Sequence, residues 1–145
     1  LLQFQWTQDL QSKTYKDALA IRKEVFVGEQ HVSEEIEIDE LEGKTLHLVG
    51  YEGTLPVATA RIFPMEKGKY KVQRVAIRKE ARKKNYGKLL MEEVEKHVQL
   101  LNGHKLFLGA QNHALPFYEK LGFHVCSEEY EEAGILHHDM EKILR

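Results

Sequence analysis

Residues 71–101 read KVQRVAIRKEARKKNYGKLLMEEVEKHVQLL, and the fold turns on how this stretch divides. Val72, Val75, Ala76 and Ile77 form an apolar, mostly β-branched run of strand length. Leu90, Val94, Val98 and Leu101 then recur at helical spacing, with Leu89, Met91 and His97 beside them. Between the two lies a basic turn, Arg78-Lys79-Glu80-Ala81-Arg82-Lys83-Lys84, closing on Asn85-Tyr86-Gly87. A helix N-terminus presents unpaired backbone N–H groups and a partial positive charge, which suit an anion and above all a phosphate. Five cationic side chains stand just ahead of this one. Gly87 would let the backbone approach a ligand closely, and Asn85 tolerates positive φ. The chemistry is that of an anion cradle between strand and helix. The competing reading of the same charges is a solvated surface.

Beyond this stretch, Asn102-Gly103 supplies a helix stop, and KLFLGA, residues 105–110, forms the next strand. A strand–helix–strand run of this length implies a right-handed parallel crossover. QNHALPFYEKLGF, residues 111–123, reads as a short helix with Asn112 near its N-cap, Pro116 in its first turn and Gly122 at an αL cap. Phe123 is then placed to pack back on Phe117 or Tyr118. Two further strands are expected around residues 124–127 and 135–142.

Before it, Thr45–Tyr51 and Leu55–Phe63 form a hairpin turning at Glu52-Gly53-Thr54, and residues 65–69 turn the chain again. The result is an antiparallel meander of three strands. At the start, Leu2, Phe4 and Trp6 alternate with glutamines as a half-buried strand. A helix follows over about residues 14–29, with Ala18, Leu19, Ile21, Val25 and Phe26 on its apolar side and Gly28 offering a stop. HVSEEIEIDELEG, residues 31–43, is acidic and poorly periodic. It reads as a solvated loop or short helix, or as a mouth attracting a cationic acceptor through Glu34, Glu35, Glu37 and Asp39.

Composition bounds the rest. The 145 residues suit one domain with one sizeable core, and 42% hydrophobic with 30% charged residues is an ordinary globular balance. A net charge of −2 argues against nucleic acid as partner. The single cysteine, Cys126, excludes an internal disulfide and a thiolate zinc cage; in an apolar strand it is expected to be buried. No apolar run approaches the ~20 residues that cross a bilayer, and no signal-peptide pattern opens the chain, so a cytoplasmic protein is expected. Opening on Leu1, it is also expected to lack its true start. His137 and His138, adjacent on a strand, would point to opposite faces and could not chelate one ion, so no metal is expected. Neither a P-loop nor a GxGxxG fingerprint is present.

A third pattern fits. Arg82-x-x-Asn85-x-Gly87, after the strand Val75-Ala76-Ile77, resembles the Q/R-x-x-G-x-G/A segment of the GNAT acyltransferase superfamily, with Asn85 in place of the first glycine. Residues 110–123 resemble that family's C-terminal motif, through Ala110, Asn112, Phe117, Tyr118, Lys120, Gly122 and Phe123, with Leu115 where alanine is usual. Ala20-Ile21-Arg22-x-Glu24-Val25-Phe26-Val27-x-Glu29-Gln30, Ile38-Asp39, Arg74-Val75 and Gly134-Ile135-x-His137-x-x-Met140 are similar to an ElaA-like subgroup.

The resemblance covers nearly the whole chain. It implies an α/β fold of element order β-α-β-β-β-α-β-α-β-β, with a mixed, mostly antiparallel sheet and helices flanking it. It implies acetyl-CoA as cosubstrate and a small-molecule or protein amine as acceptor, with no nucleic acid, membrane or metal, and leaves room for a homodimer. The cofactor would be held by Val75, Ala76 and Ile77 of the strand, by Arg82, Lys83, Lys84, Asn85, Tyr86, Gly87 and Lys88, and by Asn112 and Tyr118. Tyr118 would protonate the departing thiolate, and the N–H of Val75 or Ile77 would polarise the thioester carbonyl. Glu24, Glu29, Arg74 and His137 are candidates on the acceptor side. The base is left unassigned, and the amine could also lose its proton through water. The alternative function is a non-catalytic coenzyme A sensor or interaction module on the same fold.

Overall fold

The computed structural model describes residues 1–145, apart from the side chains of Glu35 and Ile36. Strands β1 (Leu2–Thr7), β2 (Leu46–Glu52), β3 (Leu55–Pro64) and β4 (Lys69–Ile77) form an antiparallel meander. Helix α3 (Tyr86–Leu100) then crosses over to β5 (Lys105–Gln111), which pairs parallel to β4. The sheet continues through β8 (Ile135–Ile143) to β6 (His124–Val125), in the order β1-β2-β3-β4-β5-β8-β6. This is the mixed, mostly antiparallel sheet that the sequence implies. It gains one unforeseen strand, β7 (Tyr130–Glu132), paired with β8. Among the described residues no helix is long and apolar enough to cross a membrane.

Alternation along the strands divides the interior in two. Leu48, Ile62, Val72, Leu106, Leu108 and Met140 meet Leu90, Val94 and Val98 of α3 on one face. On the other, Val49 and Ala76 meet Ala18, Ile21 and Val25 of the first helical segment. That segment begins as α1 (Lys13–Arg22) and widens to π-helical spacing over Lys23–Glu29, ending with Gln30 N–H bonded to the Val25 carbonyl at 3.1 Å. Such widenings are rare and often lie at functional sites.

Two features of β4 open the sheet. Opposite β3 the register jumps from Thr59↔Ala76 to Arg61↔Gln73, and Arg74 in the bulge takes φ +56°. Parallel pairing with β5 ends at Val72↔Leu108. Beyond that point the two strands diverge.

Of the two readings of the acidic stretch 31–43, the short helix is found and the open acidic mouth is not. The stretch contains α2 (Glu34–Glu37), and Glu37 and Asp39 bond inward to arginines; Glu35 lies outside the described side chains. Arg22 and Arg61, each only 1% exposed, meet Glu42 at 2.8 and 2.7 Å. Glu37 lies between Arg22 at 2.5 Å and Arg74 at 2.6 Å, and Asp39 accepts from Arg61 and Arg74. Tyr15 donates to Glu42 at 2.9 Å. Arg22, Arg61 and the hydrogen bond from Arg22 hold the Glu42 carboxyl down at about 2, against the desolvation that opposes them.

Removing one partner of a buried ion pair strands the other, at a cost of about 3–5 kcal/mol. Glu42→Gln is therefore expected to lower unfolding free energy by about that much in neutral urea titrations. Because the folded pKa is depressed below the ordinary 4.5, this contribution is present above 4.5 and lost as pH falls towards 2. The gap between the two proteins should close over that window, and a constant gap would refute the assignment.

Candidate active site

Where β4 and β5 part, a cavity of about 400 Å³ opens, lined by Phe26, Arg74, Val75, Leu108, Tyr118 and His137 among others. Its first wall is the free edge of β4. Arg78 N–H donates to the Val57 carbonyl at 2.8 Å, which sets the phase of the antiparallel ladder. Ala76 therefore exchanges bonds with Thr59 opposite it, and the N–H groups of Val75 and Ile77 turn to the open edge. The Ile77 carbonyl is taken by Arg82 Nε at 2.9 Å.

Past this edge the chain reaches the N-terminus of α3. Lys83 and Asn85 both take φ +67°, so the αL tolerance of asparagine is used, and Asn85 makes no side-chain cap. Leu89 N–H closes on the Asn85 carbonyl at 3.2 Å, leaving the N–H groups of Tyr86, Gly87 and Lys88 at the helix mouth. Gly87 serves a purpose the sequence hid: an added Cβ would sit 3.0 Å from the Phe117 ring. It makes room for the next helix rather than for a ligand alone.

The cations of the basic turn are largely committed. Arg82 pairs with Glu29 at 2.9 Å and Arg78 with Glu24 at 2.6 Å. Lys84 and the Tyr86 hydroxyl both bond Glu52. Lys83 and Lys88 carry no ion pair among the described residues. Glu24 and Glu29, read as acceptor-side candidates, do not line the cavity; they brace the basic turn against the first helical segment.

The second wall is β5, β8 and helix α4 (Leu115–Lys120). Pro116 stands in the first turn of α4, and Gly122, at φ +97°, lets Phe123 N–H return to the Tyr118 carbonyl at 3.1 Å. Phe117 and Phe123 pack edge-on against Tyr118, with centroids at 4.9 and 5.6 Å. The Tyr118 side chain lines the cavity at 7% exposure, and burial pushes its phenol well above the ordinary range. Asn112 neither caps α4 nor lines the cavity. Its amide donates to Glu129 at 2.7 Å, and its oxygen lies 2.8 Å from His138 Nδ1.

His137 and His138 diverge as strand alternation requires: His137 faces the cavity and His138 faces Asn112. Arg74 also faces the cavity, with its guanidinium held by Glu37 and Asp39. Among the described residues no group of three or more His, Cys, Asp or Glu is placed to hold a metal. Cys126 is exposed rather than buried, since it follows the edge strand β6, whose own two residues are exposed.

An acetyltransferase (GNAT) domain model matches residues 9–144. The chain belongs to the GNAT family of acetyltransferases. It is 42% identical over 128 residues to YjcF of Bacillus subtilis, named an N-acetyltransferase, covering 88% of this chain and 91% of that one. Escherichia coli ElaA is 34% identical over 86% of this chain and 84% of its own; its crystal structure superposes with a TM-score of 0.85 over 98% and 99%. An acyl-CoA N-acyltransferase from Pseudomonas aeruginosa is 30% identical, with a TM-score of 0.86 over 98% and 99% of the chains.

Two features of this GNAT cleft had no visible trace in the sequence. Gln30, just past the π turn, and Gln111, at the end of β5, exchange amide hydrogen bonds of 2.9 and 3.3 Å and join the two walls. On the unforeseen β7, Tyr130 donates to Asp139 at 2.6 Å and stacks on His137 with centroids 5.6 Å apart. Gly109 makes this possible, since an added Cβ would lie 2.4 Å from the Tyr130 hydroxyl. Gly109→Ala should expel Tyr130 from its bond with Asp139 and lower unfolding free energy by about 1–3 kcal/mol in urea titration. An unchanged midpoint would mean that the ring has room to move.

Proposed function

We propose that the chain transfers the acetyl group of acetyl-CoA to an amine nitrogen. The observation that carries this reading is the free edge of β4: the N–H groups of Val75 and Ile77 turn away from β3, and Val75 lines a cavity that Tyr118 also lines. Family membership supports it, as does similarity to a protein named for acyl-CoA.

The residues present fit the cosubstrate. An extended pantetheine arm would add to the β4 edge through Val75 and Ile77, with Ala76 between them bonded to β3. Its phosphates would meet the N–H groups of Tyr86, Gly87 and Lys88 and the charges of Lys83 and Lys88. Arg82, Lys84 and Asn85 hold the turn in shape, the first two through Glu29 and Glu52. Asn112 fixes the start of the α4 segment against β8 and acts on the ligand through that placement.

Chemistry follows from the same walls. A strand N–H aimed at the carbonyl oxygen stabilises the negative charge that develops there. Tyr118, kept protonated by its burial, gives its proton to the departing sulfur. The desolvation that weakens the phenol as an acid also raises the proton affinity of a thiolate beside it, so the transfer stays balanced. Arg74 and His137 lie on the acceptor side of the cavity.

Calorimetric titration of acetyl-CoA tests the cradle, followed by turnover on a panel of primary amines. Intact protein is expected to bind, Lys83→Glu with Lys88→Glu to bind at least about tenfold more weakly, and Tyr118→Phe to bind normally while losing about 100-fold in turnover. No binding by the folded intact protein would overturn the reading, and unchanged turnover in Tyr118→Phe would remove its acid. Binding with no turnover on any amine would assign the chain to coenzyme A sensing instead.

A further inference from the structure

We propose that His137 is the base that takes the proton from the acceptor nitrogen, through its Nε2. The proposal rests on the acetyltransferase reading above. His137 Nδ1 lies 2.7 Å from the Ile135 carbonyl oxygen. A carbonyl only accepts, so Nδ1 carries the hydrogen and the neutral ring presents a bare lone pair on Nε2.

That lone pair is uncommitted. Among the described residues Nε2 has no hydrogen-bond partner, and no described buried side-chain polar atom lacks one, so Nε2 is reachable from outside, on a ring that is 7% exposed and lines the cavity. The orientation is fixed from behind. Tyr130 stacks on the ring at an interplanar angle of 15°, and Asp139 and the bare Gly109 hold Tyr130 in place.

Of the other titratable groups around the cavity, Tyr118 is assigned above and Lys71 lies over the Phe107 ring, with its nitrogen 5.7 Å from the centroid. Glu37 and Asp39 each meet two arginines. Tyr130 spends its proton on Asp139, and His113 is exposed with Nε2 on Gln111 at 2.6 Å. Glu132 is exposed at the rim of the β7–β8 hairpin.

The step balances. His137 Nε2 first takes a proton from the acceptor ammonium, and the freed nitrogen lone pair then forms the C–N bond to the acetyl carbon. The C–S bond breaks, its electrons leave with sulfur, and the thiolate takes the Tyr118 proton. The second proton that the new amide nitrogen must lose passes through solvent to the phenolate, and the imidazolium releases its own proton to bulk solvent, so both side chains are restored.

The test uses His137→Gln and His137→Ala with two acceptors of like size. Benzylamine is an ammonium at neutral pH and needs a base; aniline is already a free base. Acetyl-CoA affinity should be unchanged, benzylamine turnover should fall about 100-fold, and aniline turnover should fall by less than about tenfold. Equal losses on both acceptors, or undiminished benzylamine turnover, would overturn the base role while leaving the acetyltransferase reading standing. A Glu132→Gln variant that alone loses benzylamine turnover would move the role to Glu132. An intact protein that binds acetyl-CoA yet acetylates neither these nor any other amine would overturn the proposal together with that reading.

Discussion

Three guanidinium groups and three carboxylates, buried together beneath the acidic segment, are the constraint on which the rest of the molecule depends. Replacing such a cluster by apolar side chains is often neutral for stability, so its value lies in what it specifies. Its members come from four structural contexts: Arg22 from the end of α1, Arg61 from β3, Arg74 from the bulge of β4, and all three acids from residues 37–42. Satisfying all six charges at once allows one arrangement of those pieces. It also anchors Arg74, and with it the bulge that turns the β4 edge away from β5.

Legibility in the sequence followed the range of the interactions. The strand, basic turn and long helix of residues 71–101 were readable because their signals are local: β-branched residues, helical spacing and an αL-tolerant asparagine. So was α4, whose proline and glycine mark its ends. Strand β7 was not, since Tyr130–Glu132 is short and polar and pairs only because β8 offers an edge. The partners of Glu24 and Glu29 lie 54 and 53 residues away, and no periodicity reveals a contact at that distance. Asn112 suited a helix cap by local rules, yet tertiary partners, Glu129 and His138, claimed its amide.

The site shows the same division. Tyr118 could be named from its motif, and it lines the cavity that the splayed strands create. Which of two adjacent histidines faced inward depended on the β5–β8 register, Gln111↔His137 and Ala110↔His138, which only the assembled sheet determines. The acidic segment misled because a run of carboxylates looks alike whether it faces water or buried arginines. Arg22 and Arg61 gave no warning, one lying in a helix and the other in a strand otherwise suited to a core.

The paired amides of Gln30 and Gln111 bear on the order of events. They tie the end of the first helical segment to β5 across the gap, so the cleft is a passage with a crosspiece and not an open trough. A ligand reaching from one side of the pair to the other would have to arrive before the pair closes or part it first, and parting it breaks both amide hydrogen bonds at once.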